Sequence, residues 1–508
     1  MAFTDQLRCA AVALGWALIA ACGANPEDPA EAATDGSDDG PTTADASGDG
    51  SSAGPGTSGA DATQTGTATG DDPTTTATDD GSTGGDPPPP PDASSWPGIP
   101  EPVLPWWDAE VPPVTHRAAS GTIPADAGCG SVVQWSGDTG QLVIDAEGCD
   151  DDPLWIVGTG VTATASNGDP HEIRGRNLVV IGIDFRGEDG VLTYTGDRVV
   201  MRAITVVDPA TDNGSAMFIG GTNAVIDDAD IGPSGNWIDQ GGPDVDHHCI
   251  KTGDSSDIWV LRSTIHECQG DGIQFGDQNA YGGHHYYVAG NDIYDNCQTG
   301  LWVKRADDIV MVANRLWGHT QGCQSDAVAM GAQYENTWIT FAYNEMWNNG
   351  GGIKVQSAEL GPRFMIGNVV RDCTTDPGTN PHASHGITSR ASGNPTYYLH
   401  NTIDQCAGAL SVVNGTQTAV HGNLTGGGAV NLESPLENTN NFEGDAQLDA
   451  DFVPQPGSAA IDADGTTPHD GYVQWEAHYG ISIADDRPLD GDGDGQAVWD
   501  LGAKEAEG

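Results

Sequence analysis

The sequence predicts an all-β solenoid of stacked parallel strands, and three features of the 508-residue chain predict it. Two neighbouring phrases, HCIKTG at 248–253 and DGIQFG at 271–276, carry the alternation of a short strand with one buried face. Apolar runs such as NLVVIGIDF, DIWVLRSTI, IVMVANRLW, TWITFAYNEMW and TYYLHNTIDQ return at spacings of roughly 20 to 34 residues, the range of a solenoid. Each run is followed by a second phrase, among them SAMFIG, TGLWVK, DAVAMG, GGIKVQ and HGITSR, and two registers do not recur together by accident. A glycine-rich composition suits many short strands and tight turns, and the length exceeds what one compact core holds. In such a stack Ile250 and Ile273 face inward while Lys251 and Gln274 face out.

Residues 1–21 pair one basic residue, Arg8, with the apolar segment CAAVALGWALIA, too short to span a membrane and placed as an export signal. Ile19-Ala20-Ala21-Cys22 resembles the lipobox of bacterial lipoproteins. That resemblance implies a lipidated Cys22 as the mature N-terminus, and the absence of Asp after it implies an outer-membrane or cell-surface location. Residues 22–95 are acidic and of low complexity, with no Lys or Arg, and are expected to be a disordered, self-repelling tether that ends in the stiff run Pro87 to Pro91. The tether carries a substantial part of the net charge of −56. Screening over roughly 10 Å in 0.1 M salt leaves a distant site free to bind an acidic ligand. No basic stripe is dense enough to displace counterions from nucleic acid, so nucleic acid is excluded as a partner.

An irregular lead-in rich in Trp and Pro opens the repeat domain, 96–430, and residues 431–508 are expected to cap the last open rung, as solenoids require. Asn291, Asn314, Asn344, Asn368 and Asn401 each fall just before an anchoring apolar residue, and a ladder of stacked amides is predicted from them. This pattern resembles the pectin-lyase-like proteins over 132–428. The resemblance implies a right-handed, single-stranded parallel β-helix, and it implies little about chemistry, because that fold hosts lyases, hydrolases, epimerases and inert adhesins.

Eight cysteines follow Cys22 in a chain expected to be exported, an even number compatible with disulfides. Stacking pairs Cys268 with Cys297 and Cys373 with Cys406, and Cys129 with Cys149 closes a local loop. Cys249 and Cys323 are left over, and a ladder of buried free thiols is the alternative.

The chain has four lysines, and three of them, Lys251, Lys304 and Lys354, fall in or beside the second-phrase strands. At about 4.8 Å per strand, Lys251 and Lys354 stand roughly 19 Å apart, room for several sugars. Trp302, Gln274 and Gln356 share their outward face, with Arg305 and Arg390 near it, a set suited to stacking sugar rings and pairing carboxylates. The expected function is therefore β-elimination on an acidic, uronate-containing polysaccharide. Lys251 is the expected base, Lys304 or Arg305 neutralises the uronate, and His248 protonates the leaving oxygen, with Asp271 beside them. In this the chain resembles lysine- and arginine-dependent lyases of the fold.

Two other readings compete. HHCIKTG followed by CQGDGIQFG distantly resembles polygalacturonase-type hydrolases, but His247 and His248 stand where that pattern has aspartates and Asp271 where it has histidine; Asp244, Asp246, Asp271 and Asp326 are the carboxylates left to form a pair. A tethered glycan-binding surface protein needs the same groove and no base. Calcium is the expected cofactor, from the alternate-oxygen spacing of Asp490, Asp492 and Asp494, although Leu501 stands where a closing acid belongs and Asp500 or Glu505 would have to substitute. A transition-metal site across His248 and His266 is a weaker alternative. A monomer is expected.

Overall fold

The computed structural model describes residues 96–504 except 167, 188–189, 209–213, 236–245, 278–281, 320–326, 357–359, 374–384, 391–393, 466 and 484–498. Cys22, the tether, Asp244, Cys323, Asp326, Asp490, Asp492, Asp494 and Glu505 lie outside the described residues.

The described chain winds as a coil with three walls. In one turn His247–Thr252 lies in wall 1, Ser255–Leu261 in wall 2 and Thr264–His266 in wall 3; Ile273–Phe275 then returns to wall 1 beside the first strand. Wall 1 is a 12-stranded parallel sheet among the described residues. Walls 2 and 3 share a 24-stranded sheet because Leu154–Thr164 and Arg176–Arg186 each run through both. Inside, one apolar position repeats from turn to turn. Ile250, Ile273, Leu301, Met330, Ile353, Ile387 and Leu410 pair in register down wall 1 and are all buried.

The asparagine ladder forms where it is predicted, at the corner between walls 2 and 3. Asn291 donates its side-chain amide to Asn314 at 2.9 Å, Asn314 to Asn344 at 3.0 Å, Asn344 to Asn368 at 3.0 Å and Asn368 to Asn401 at 2.9 Å. It continues through Asn423 to Asn441. Each amide also serves the backbone: Asn344 Oδ1 accepts from Asn314 N, and Asn344 Nδ2 donates to Met311 O. These bonds satisfy a buried corner that has no strand ladder of its own, and they hold Ala313, Tyr343 and His400, just before the asparagines, at a left-handed φ of 53°.

Two of the predicted disulfides are present, Cys129–Cys149 and Cys373–Cys406. The third is different: Cys268 bonds to Cys249, with Cα atoms 5.5 Å apart, and not to Cys297. Cys249 opens wall 1 and Cys268 follows wall 3, so the bond closes the cross-section of the coil instead of joining two rungs. Cys297 does stack on Cys268, but through its backbone amide, and its sulfur is in a disulfide elsewhere.

A second core lies outside the coil on wall 2. Trp96, Leu104, Trp106 and Trp107 of the lead-in, and Tyr472, Trp475, Ile483 and Trp499 of the tail, pack over Trp259, Val310, Ala342, Phe364 and Leu399. Two of the indoles are anchored by polar atoms, Trp259 Nε1 to Pro100 O and Trp475 Nε1 to Thr340 Oγ1, which lets these large rings be buried with their N–H groups satisfied. Gly98 N donates to Ser482 O, so the two terminal segments meet along this wall. The tail also gathers Ala446, Ala460 and Leu501 around Leu424 near the end of the coil. A helix at Asp470–Tyr479, with His469 as its N-cap, carries Tyr472 and Trp475 onto the wall.

Candidate functional site

Wall 1 places the predicted cations on one face. Its register runs Phe218, Lys251, Gln274, Trp302, Gly331, Lys354, Thr388 and Ser411, one residue per strand, in a single outward row. Lys251, Gln274, Trp302 and Lys354 are thus brought together as expected, with Lys251 and Lys354 four strands apart. Two residues on, Lys304 aligns with Gln333, and Gln356 and Arg390 continue that side of the wall.

The members of the row differ in state. Lys251 is partly exposed and ion-paired to Asp277 at 3.2 Å. Trp302 lies across Gly331, where a Cβ would collide with its ring, so the glycine allows the indole to lie down on the wall. Gln274 is buried and donates to Gly276 O, while its Oε1 has no partner in the structure. Lys354 is only 6 % exposed. Burial, with a contribution from the neighbouring Arg390 charge, pushes its ammonium down to about 8. Arg390 is exposed at the end of its strand. Arg305 lies 3.9 Å from Glu335, at the edge of the wall.

His248 and Asp271 do not stand on the surface. Both are buried where the wall 1 strands begin; Asp271 N donates to His248 Nδ1 at 2.9 Å, and the Asp271 carboxylate lies 3.4 Å from the same nitrogen. Burial first, then the charges of Lys251 and Lys304, hold His248 well below its ordinary value, so at neutral pH it is the uncharged imidazole, and, fully buried, it does not reach a leaving oxygen. This corrects the expectation of His248 as the acid. Asp271 is pushed up to about 7 by burial, against the pull of Lys304 and with a push from Asp246. His247 is likewise buried, on Asp208 at 3.1 Å. The expected His248 and His266 pair is not formed, because His266 lies on the outer face of wall 3 and bonds Asp230 and Glu267. Asp500, a candidate to close a calcium loop, is buried and accepts from Asp462 N.

Wall 3 carries a feature the sequence reading missed. His266, Tyr294, Trp317 and Trp347 stack at centroid spacings of 5.1, 4.7 and 4.9 Å, and Arg371 closes the stack 5.1 Å over Trp347. The signal was the last residue of each three-residue strand, as in DIY, RLW and EMW. Their faces are occupied by one another, so the stack is a rigid rib and not a sugar platform. A cavity of about 430 Å³ at the corner of walls 2 and 3 is lined by Arg202, Arg262, Arg315, Asp227 and Asp292. Arg262 is forked onto Asp227 and Arg315 onto Asp292, which neutralises two of its cations locally.

A family model described as right handed beta helix region matches residues 248–425. The chain is a right-handed parallel β-helix protein. The helix is similar to several solved structures at low identity. These include the Azotobacter vinelandii mannuronan C-5 epimerase AlgE6 A-module (14 % identity, TM-score 0.34, covering 57 % of this chain and 91 % of that one). The Streptococcus pneumoniae surface protein and adhesin PfbA is another (11 %, 0.36, 62 % and 91 %). The pectate lyase Pel9A is a third (13 %, 0.34, 75 % and 89 %). No curated protein sequence matches the chain. The parallel β-helix itself is established by the register of its strands.

Proposed function

We propose that this β-helix is an exported, lipid-anchored protein that binds an acidic polysaccharide along wall 1 and cleaves it by β-elimination. The observation that carries the reading is Lys354: a lysine held near 8, with the Arg390 cation beside it, in the same outward row as Lys251 and Trp302. Elimination needs an amine that is neutral in useful fraction near physiological pH, and a cation on the uronate carboxylate so that the neighbouring carbon gives up its proton. Lys354 supplies the first and Arg390 the second. The electron pair left on carbon forms the new double bond, the glycosidic C–O bond breaks, and water protonates the departing oxygen. Lys251 then moves from base to binding: paired with Asp277, it holds a uronate several sugars away. Lys304 and Trp302 lie between.

Asp271 favours a second reading. A carboxyl that burial pushes up to about 7 stays partly protonated at neutral pH, as the general acid of a hydrolase must be.

The experiment is incubation of the protein with pectate, alginate and glycosaminoglycans, following ultraviolet absorbance of the unsaturated product and, separately, reducing ends. A rise in absorbance that Lys354→Ala abolishes supports elimination. Reducing ends without absorbance, lost in Asp271→Asn, support hydrolysis. Retention of polymer with neither signal makes the protein a glycan-binding adhesin.

A further inference from the structure

A cluster of histidines and carboxylates joins the last turns of the coil to the tail. His400 and His421 occupy successive turns at the corner between walls 2 and 3, and Asp464 reaches them from the tail. His400 Nε2 lies 2.8 Å and His421 Nε2 2.9 Å from the same oxygen, Asp464 Oδ2. The ligating atoms of the three residues fall within 4.8 Å of one another. Gly422 leaves the space for the His400 ring, since a Cβ there would meet Nε2.

We propose that His400, His421 and Asp464 form a binding site for a divalent transition metal, Zn²⁺ by its ligand chemistry, that clamps the tail to the coil. Imidazole with one carboxylate suits zinc and neighbouring metals and not calcium or magnesium, which take oxygen. Ligands about 2.0 to 2.2 Å from a tetrahedral zinc stand about 3.3 Å apart, so the two nitrogens need move about 0.5 Å from the carboxylate oxygen to admit the ion. Asn440, exposed, donates to the other Asp464 oxygen and orients the carboxylate. The three residues leave a fourth position for water.

The outer partners match. A metal on each Nε2 sends the ring proton to Nδ1, and an oxygen waits there in both cases: Tyr472 Oη at 3.0 Å from His400 Nδ1, and Thr439 Oγ1 at 2.7 Å from His421 Nδ1. Oxygen partners of this kind fix the tautomer and orientation of metal-binding histidines. Glu437 lies 3.7 Å from His421 Nδ1 and holds His469 at 3.1 Å, which adds negative charge behind the site. Tyr472 sits in the Asp470–Tyr479 helix, so the ion would couple that helix as well as Asp464 to the coil.

The test uses the full chain, stripped with a chelator and dialysed, then titrated with ZnCl₂ by calorimetry and with CoCl₂ by visible absorption. The expected result is saturable binding at one site, visible cobalt bands of low-coordinate geometry, and a melting temperature that rises with free Zn²⁺. Asp464→Asn, which keeps an oxygen that can accept hydrogen bonds, and His421→Gln should each abolish the cobalt bands. Tyr472→Phe should weaken binding roughly 10- to 100-fold, and His478→Gln, outside the cluster, should change nothing. Circular dichroism checks that each variant is folded. Absence of binding by the folded wild-type chain, or cobalt bands that persist in both folded ligand variants, would overturn the proposal and leave the cluster as a hydrogen-bonded staple.

Discussion

Lys354 sits in the same outward row as Lys251, four strands along the coil, yet the two side chains are in different states. Lys251 is partly exposed on Asp277, and Lys354 is buried and held near 8. The lysine with the lowered value binds fewer protons folded than unfolded between about 8 and its free value of about 10.4. Its charged form therefore costs stability below pH 8, and stability recovers as pH rises through that window. Lys354→Met should raise the melting temperature at pH 7 and flatten its climb between pH 8 and 10, read by thermal unfolding across that range.

Asp271 has the opposite sign. Its folded value near 7 lies above the ordinary 3.8, so its contribution is fully present below the unfolded value and is lost as pH rises through 7. Asp271→Asn, which mimics the protonated carboxyl, should remove a loss of stability between about pH 4 and 7 that the parent chain shows in denaturant titrations.

Asn344 accepts from both the backbone and the side chain of Asn314. Asn344→Ala leaves two buried N–H groups without an acceptor and Met311 O without its donor. A loss of about 1–3 kcal/mol for each buried group so orphaned is the general expectation, so the variant should unfold at clearly lower denaturant. An exposed asparagine such as Asn431 replaced in the same way gives the reference.

The disulfide pattern is open to direct mapping. Digestion of the unreduced protein should release a Cys249–Cys268 peptide together with Cys129–Cys149 and Cys373–Cys406. A Cys268–Cys297 peptide in its place would contradict the closure of the coil described here.

The coil was legible because a β-helix repeats its physics: each inward Ile or Leu of wall 1 stacks on the next, and each corner asparagine pays its amide to its neighbour. Facing residues of one row, Lys251 to Lys354, follow from the same period. What the sequence hid is what periodicity does not encode. Burial of His248 and Asp271 depends on how deep the strand entrance of wall 1 lies. The Cys249–Cys268 bond crosses the coil, while counting rungs finds only bonds along it. The packing of Trp475 beside Thr340, 135 residues away, depends on the path of an irregular tail. The wall 3 rib was visible as a column of Tyr and Trp at strand ends, and His400, His421 and Asp464 come together only when the tail folds back.

The most direct test of the central claim is the initial rate of unsaturated product from a polyuronate, measured against pH for the parent chain and for Lys354→Ala. The account predicts a rate that rises toward a plateau above about pH 8, is abolished by Lys354→Ala, and in Lys251→Ala shows a raised KM with kcat largely kept. Full product formation by Lys354→Ala with an unchanged pH profile would contradict it.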